Sequence, residues 1–318
     1  MVVKSQDVAE RAGVSRSTVS QILNGRADHF TAETRARVHR AIAELGYEPS
    51  AAGRALAKGS SDIVIALIPD TTFGGNLQDI YSALTDELSR RGLTLVLRLA
   101  THTVTSLESV IIRLKPRVVL SLTPFSDEDR RLLESRGVEA IDPGSSSSRD
   151  ANAEIGTLQA GHLIDRGYRC LAYAHLHDAR SDPFGGARER AFLAECRAHG
   201  VDGPRILALG VNVEDAVAAL DQLGEPGFAV GCYNDDVATA LLHAASLRNW
   251  RAPHDLALIG MDHTPLSRLT TPPLTTMEYD TSTVTEETIQ AILRHLDAGK
   301  AGEDRTEVRF RVIEGGTT

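Results

Sequence analysis

From residue 63 onward the chain alternates short apolar runs with amphipathic stretches, and this alternation limits the possible folds more than any other feature. Residues 63–68, 93–99, 118–122, 138–141, 170–174, 206–209, 229–232, 257–261 and 308–313 read as strands. Residues 77–90, 106–114, 128–135, 155–166, 187–199, 214–223, 237–247 and 283–296 read as helices, from apolar side chains at helical spacing. Repeated strand–helix units imply parallel sheets covered by helices on both faces. About nine units exceed one ordinary open sheet, so two lobes are expected, with ligands bound beyond the carboxyl ends of the strands. Of the 318 residues 42% are hydrophobic but only 4% aromatic, so the cores must be built mainly from Ala, Val, Leu and Ile.

The first sixty residues follow a different pattern. Residues 5–12 and 16–24 read as two short helices joined at Gly13. In the first, Val8 and Ala12 face inward; in the second, Val19, Ile22 and Leu23 do. Ser15 is placed to cap the second helix by accepting a backbone N–H. Arg16, Ser17, Ser20, Gln21 and Asn24 fall on the opposite, polar side. A third helix, 32–45, is capped by Thr31 and closed by Gly46, with Val38, Ala41, Ile42 and Leu45 inward. This is the sequence form of a helix-turn-helix, whose second helix enters a DNA major groove.

The charge distribution agrees. The chain carries a net charge of −9, yet residues 1–60 hold nine Lys/Arg against six Asp/Glu. A basic head on an acidic body implies that only the head meets phosphates. Cys170, Cys196 and Cys232 have no ligand-like spacing and read as small apolar side chains. No apolar run reaches membrane-spanning length and the start of the chain lacks an export signal, so a cytoplasmic protein with no membrane partner is expected. Pro49 ends the head, and residues 50–61 are Ala-rich but short and interrupted by Gly53. They read either as a flexible linker or as a hinge helix that orders on DNA, with Leu56 as an apolar wedge in the minor groove.

Several motifs together carry a resemblance. They are Asp7-Val8-Ala9-Glu10-Arg11-Ala12-Gly13-Val14-Ser15, Thr18-Val19-Ser20, Asn24-Gly25, Thr34-Arg35, Glu44-Leu45-Gly46-Tyr47 and Arg54-Ala55-Leu56. In the body they are Arg188 with Phe192, Cys232-Tyr233-Asn234-Asp235, Ile259-Gly260-Met261-Asp262 and Thr271-Pro272-Pro273-Leu274-Thr275-Thr276. Over nearly its whole length the chain resembles the lactose-repressor/galactose-repressor family of bacterial transcription regulators. The resemblance implies an α/β fold. An N-terminal all-α helix-turn-helix head precedes a two-lobed body of parallel doubly wound sheets, like a periplasmic binding protein. Expected boundaries are 1–48 for the head, 49–61 for the hinge and 62–318 for the body. It further implies a homodimer, a palindromic double-stranded operator and a small-molecule effector in the interlobe cleft. By matched position Arg16, Ser17 and Gln21 are base-edge readers, with a phosphate contact open for Ser17. Thr18, Ser20, Asn24 and Arg35 would position the backbone of the DNA, Ser15 and Arg54 are further DNA contacts, and Leu56 holds the intercalating position. Gly53 and Ser50 depart from the Ala and Asn common there. No leucine heptad follows the body, so a dimer is expected and not a coiled-coil tetramer.

Candidate effector contacts stand at strand ends: Asp70, His175, Asn234 with Asp235, and Asp262. Arg188 opens a helix, and Phe73, Phe184 and Tyr233 could stack on a ligand or simply pack. Carboxylates and a guanidinium around a cleft suit hydroxyl-rich ligands such as sugars. The resemblance implicates Arg188, Asn234 and Asp262 most directly. Asp235 or Asp236 could equally cap the helix near Val237, and Asp70 could bond within its loop. His175-Leu176-His177-Asp178 lacks a third ligand at metal spacing, so no metal and no cofactor are expected. An enzyme is disfavoured, because the chain has no phosphate loop, dinucleotide fingerprint or nucleophile elbow. The reading is a sequence-specific transcriptional repressor controlled by a sugar-like effector. A transport solute-binding protein and an effector-dependent activator are the alternatives.

Overall fold

A computed structural model describes residues 3–23, 27–47, 61–69, 71, 74–99, 104–142, 151–177, 184–296 and 309–318. The hinge stretch with Ser50, Gly53, Arg54 and Leu56 lies outside the described residues, as do Asn24, Asp70 and Phe73.

The head is three helices, α1 (Ser5–Ala12), α2 (Arg16–Leu23) and α3 (Ala32–Leu45). Their shared core is Val8, Ala9, Ala12, Val19, Ile22, Val38 and Ala41. Gly13 closes α1 at φ 65°, a left-handed conformation in which a Cβ is disfavoured, and so turns the chain sharply into α2. Thr31 caps α3 by accepting from Thr34 N, and Gly46 closes it, as expected.

The body is two lobes. The first has the parallel sheet β2-β1-β3-β4, formed by β1 (Ile63–Ile68), β2 (Thr94–Leu99), β3 (Val118–Ser121) and β4 (Glu139–Ile141). Both faces of β1 are buried. Val64, Ala66 and Ile68 pack against α4 (Gly75–Arg90), while Ile65 and Leu67 face α5 (Val104–Leu114) and α6 (Asp127–Ser135). The second lobe repeats the design, with order β6-β5-β7-β8: β5 (Leu171–Leu176), β6 (Arg205–Leu209), β7 (Phe228–Cys232) and β8 (Leu256–Ile259). One face is covered by α9 (Val213–Leu223) and α10 (Asp235–Leu247). The other is covered by α7 (Ala151–Asp165) and α8 (Gly185–Ala198). These helices touch closely: a Cβ on Gly156 of α7 would stand 2.0 Å from the Arg188 carbonyl of α8.

The chain passes from the first lobe to the second between β4 and α7 and runs out again along β9 (Thr276–Tyr279). It then enters α11 (Thr281–Leu296), whose Ile289 and Ile292 join the first lobe's core. It returns with β10 (Phe310–Ile313), paired antiparallel to β9. This ribbon differs from the all-parallel expectation, and β9 has no counterpart among the expected strands. Its Thr, Met, Glu and Tyr are too few and too polar to stand out as an apolar run. The helices of the body begin one to four residues before the expected starts, because first-turn side chains contribute little to the apolar stripe.

Asp235 sits where β7, β8 and β9 converge, and it corrects an expectation. It is fully buried, and its carboxylate accepts from Thr264 N at 2.7 Å, Thr264 Oγ1 at 3.0 Å and Thr276 Oγ1 at 2.5 Å. Its oxygens are committed inside lobe two, so it is an internal anchor and not a cleft ligand. Nor does it cap α10. That cap is Asn234, whose Oδ1 accepts from Val237 N at 3.0 Å. Gly260 leaves room for the anchor, since a Cβ there would lie 2.2 Å from Asp235 Oδ1.

Burial pushes the Asp235 carboxyl from 3.8 up to about 6; the Thr276 and Thr264 donors restrain that rise and the Asp262 charge adds to it. An acid with a raised folded pKa binds its proton more readily folded than unfolded, so its contribution to stability falls as pH rises from about 4 to about 6. Denaturant midpoints of wild type and Asp235→Asn should therefore diverge in slope across that window, by up to about 3 kcal/mol. A pH-independent difference would contradict this. In the head, Ile22→Ala should cost about 2–5 kcal/mol. Scanning calorimetry should show the head transition lost or lowered while the body transition stays in place.

Candidate functional site

The head presents one exposed polar face. Ser15 Oγ accepts from Thr18 N at 3.1 Å, the expected cap, and also lies within hydrogen-bond reach of the Ser17 and Thr18 hydroxyls. Arg16, Ser17, Ser20 and Gln21 are exposed on α2, and Thr18 is half-buried. Arg16 Nε donates to Ser5 Oγ at 3.2 Å, which ties the start of α2 to the start of α1. Arg35, on α3, pairs with Asp28 at 3.4 Å. The core of Val19 and Ile22 on one side thus leaves Arg16, Ser17, Ser20 and Gln21 directed outward.

The second site lies between the lobes, at the carboxyl ends of the strands. Lobe two supplies most of it. Arg188, in the first turn of α8, is 7% exposed; its Nε donates to Asn152 Oδ1 at 3.0 Å and its Nη1 to the Tyr233 carbonyl at 2.6 Å. The guanidinium carbon lies 5.0 Å from the Tyr233 ring centroid and 5.8 Å from that of Phe184, so two aromatic faces and two acceptors hold its plane. Asp262 follows β8 with φ at 100°, and His263 at 46°. This loop is pinned by Asp262 N donating to Met277 O at 2.9 Å and by the Thr264 bonds to Asp235. The half-buried Asp262 carboxyl is raised by desolvation, with Arg188 and the Asn76 amide opposing that rise.

Lobe one meets this cluster directly. Asn76 Nδ2, in the first turn of α4, donates to Asp262 Oδ1 at 3.1 Å. Thr71 Oγ1 and Tyr233 Oη lie 2.9 Å apart. Of the expected effector contacts, Arg188, Tyr233, Phe184 and Asp262 gather here. Asn234 is nearby but serves as the α10 cap. His175 Nε2 pairs with Glu189 Oε2 of α8 at 2.7 Å and stacks edge-on with Tyr173. Trp250 packs against the lobe-two core beside Arg248.

Sequence reasoning did not single out Asn76, Thr71, Asn152 or Gln159. Gln159 is fully buried; its Nε2 donates to Cys232 O at 2.9 Å and Gly260 O at 3.1 Å, which clips together the ends of β7 and β8. Its signal was present: it sits on the apolar stripe of α7 between Ile155 and Leu163, where a polar residue needs a partner.

The profile described as "Bacterial regulatory proteins, lacI family" matches residues 5–50, and that of the "Periplasmic binding protein-like domain" matches residues 160–318, half of the chain. The HTH-type transcriptional repressor PurR of Mannheimia succiniciproducens is 26% identical over 97% of this chain and 96% of its own length. PurR of Vibrio atlanticus is 29% identical over 92% and 91%. Among solved structures, the lac repressor dimer bound to operator and the anti-inducer ONPF aligns with TM-score 0.77 at 21% identity, over 100% of this chain and 99% of that one. The transcriptional regulator CelR in complex with cellobiose aligns at 0.69 and 22%, over 99% and 100%. At these identities the solved structures speak for the shared fold, while the two profiles cover the head and the body from residue 160 onward. The chain belongs to the lactose-repressor/galactose-repressor family of bacterial transcriptional regulators.

Proposed function

We propose that this protein is a sequence-specific transcriptional repressor whose grip on a palindromic operator is set by a neutral, hydroxyl-rich small molecule, a sugar or sugar derivative, bound between the lobes. Arg16, Ser17 and Gln21 read base edges. Ser15, Thr18, Ser20 and Arg35 hold phosphates, as do Asn24 and Arg54. Leu56 wedges the minor groove, and two copies of the chain span the two half-sites.

The observation that carries this reading is the pairing, in one chain, of an outward polar recognition-type helix with a cleft where Arg188 and Asp262 converge beside two aromatic rings. A fixed guanidinium donates and a carboxylate accepts, which matches hydroxyl groups that do both. The two charges offset each other, so the site favours a neutral ligand. The cellobiose held by CelR supports a carbohydrate. A transport solute-binding protein would have no use for the helical head, and truncation of residues 1–60 separates the two readings by abolishing operator retardation only in a regulator.

The test of the cleft is thermal-shift screening of sugars, sugar phosphates and nucleosides, followed by titration of the best ligand. Arg188→Lys keeps the charge but loses the fork, and should weaken that ligand about 10–100-fold while ligand-free operator binding is retained. An unchanged affinity would remove Arg188 from the site. For the head, Arg16→Ala and Gln21→Ala should each relax base preference at one operator position, by about 1–3 kcal/mol in selection from a randomised operator pool. Uniform weakening without lost preference would make them phosphate contacts.

A further inference from the structure

We infer that Asn76 is a latch of the interlobe cleft: its amide binds the Asp262 carboxylate across the gap and sets the angle between the lobes. This rests on the reading of the cleft as the effector site. The contact spans 186 positions of sequence and joins the first turn of α4 in lobe one to the strained loop after β8 in lobe two. Nothing stands between the two groups. Gly74, the residue before α4, carries no side chain, and a Cβ there would come within 4.0 Å of Asp262 Oδ2. Gly74 also makes no side-chain cap, so the exposed start of α4 faces a carboxylate from the other lobe. The Thr71–Tyr233 hydroxyl pair is a second strut across the same gap.

Each lobe-two partner is held firmly from behind. Asp262 is fixed by its backbone bond to Met277, and the Tyr233 ring lies against Arg188, whose Nη1 binds the Tyr233 carbonyl. The struts therefore transmit position between the lobes. The chemistry follows from the donor–acceptor pair. A ligand hydroxyl can donate to Asp262 and accept from Asn76, but it must enter between them. Two bonds in place of one move the groups from 3.1 Å to roughly 5 Å apart. Because the groups belong to different lobes, a ligand hydroxyl that inserts between Asn76 and Asp262 Oδ1 changes the lobe angle.

The test uses the full chain without ligand or DNA, with Cys170→Ser and spin labels at Glu128 and Glu214, exposed positions in lobes one and two. Electron–electron distance distributions are compared for Asn76, Asn76→Ala, Asn76→Asp and Thr71→Val. The ratio of the short-distance to the long-distance population should fall about tenfold in Asn76→Ala, the effect of one bond to a charged acceptor. It should fall further in Asn76→Asp, where two carboxylates would face each other, and less in Thr71→Val, where the lost bond is neutral. Identical distributions in all four would overturn the latch. Ligand-free operator affinity is measured on the same proteins. A distance shift accompanied by altered affinity supports both the latch and the regulatory reading. A distance shift with unaltered affinity keeps the latch and overturns the coupling to DNA.

Discussion

The geometry of the cleft depends on one buried charge. Asp235 lies at the meeting point of β7, β8 and β9, with no exposure and three hydrogen bonds from two threonines. A buried carboxylate without donors would cost several kcal/mol, so the loop carrying Thr264 and the strand carrying Thr276 are drawn onto it. That loop also carries Asp262 and His263 in left-handed backbone conformations, which such residues adopt only when their surroundings hold them. The anchor and the presented carboxylate are thus two parts of one arrangement. The fully buried carboxylate keeps the half-buried one in place.

From the same anchor the structure continues toward the other lobe. Thr276 begins β9, and three residues later Tyr279 packs against the cores of both lobes, with its ring 5.9 Å from that of Phe310 on β10. The strand then gives way to α11, whose Ile289 and Ile292 sit among the first lobe's buried side chains. A displacement of the Asp262 loop therefore has a covalent route into lobe one, through a strand fixed at its start by a buried hydrogen bond and at its end by an aromatic side chain. Gln159 closes the arrangement from the opposite side by binding the carbonyls of Cys232 and Gly260, so the ends of β7 and β8 cannot shift separately.

Much of this was legible in the sequence, and what was not has a common cause. The alternation of strands and helices, the cap at Ser15 and the stripes of the head depend on local periodicity and local hydrogen bonding, which a linear string records. Arg188 and Asp262 were legible as cleft candidates from a helix start, a strand end and the family resemblance, and Tyr233 only as a ring that could stack or pack. The exchange of roles between Asn234 and Asp235 was not. Both side-chain types cap helices, and only the packing of β8 and β9 decides which one is covered and which turns back to cap. Asn76 and Thr71 matter through partners 186 and 162 positions away, and nothing local marks a polar residue in a helix's first turn as a contact between lobes. β9 was missed because four residues of mixed polarity acquire strand identity only from β10.

The contrast between contacts within lobe two and contacts across the cleft bears on how such a molecule can switch. Within the lobe, the Asp262 loop is held by a backbone bond to Met277 and by two bonds from Thr264 to Asp235, which also binds Thr276 of β9. Across the cleft, among the described residues, the direct bridges beside Asp262 are one bond to a carboxylate and one between hydroxyls. The internal bonds outnumber the bridges, so each lobe is held more firmly than the gap between them. The bridges together are worth only a few kcal/mol. That is the scale of ordinary allosteric coupling, about 1–3 kcal/mol, and a small ligand supplying its own hydroxyls can exceed it. A cleft bridged by many ion pairs would be too stable for a small ligand to move, and one without bridges would have no set angle to change.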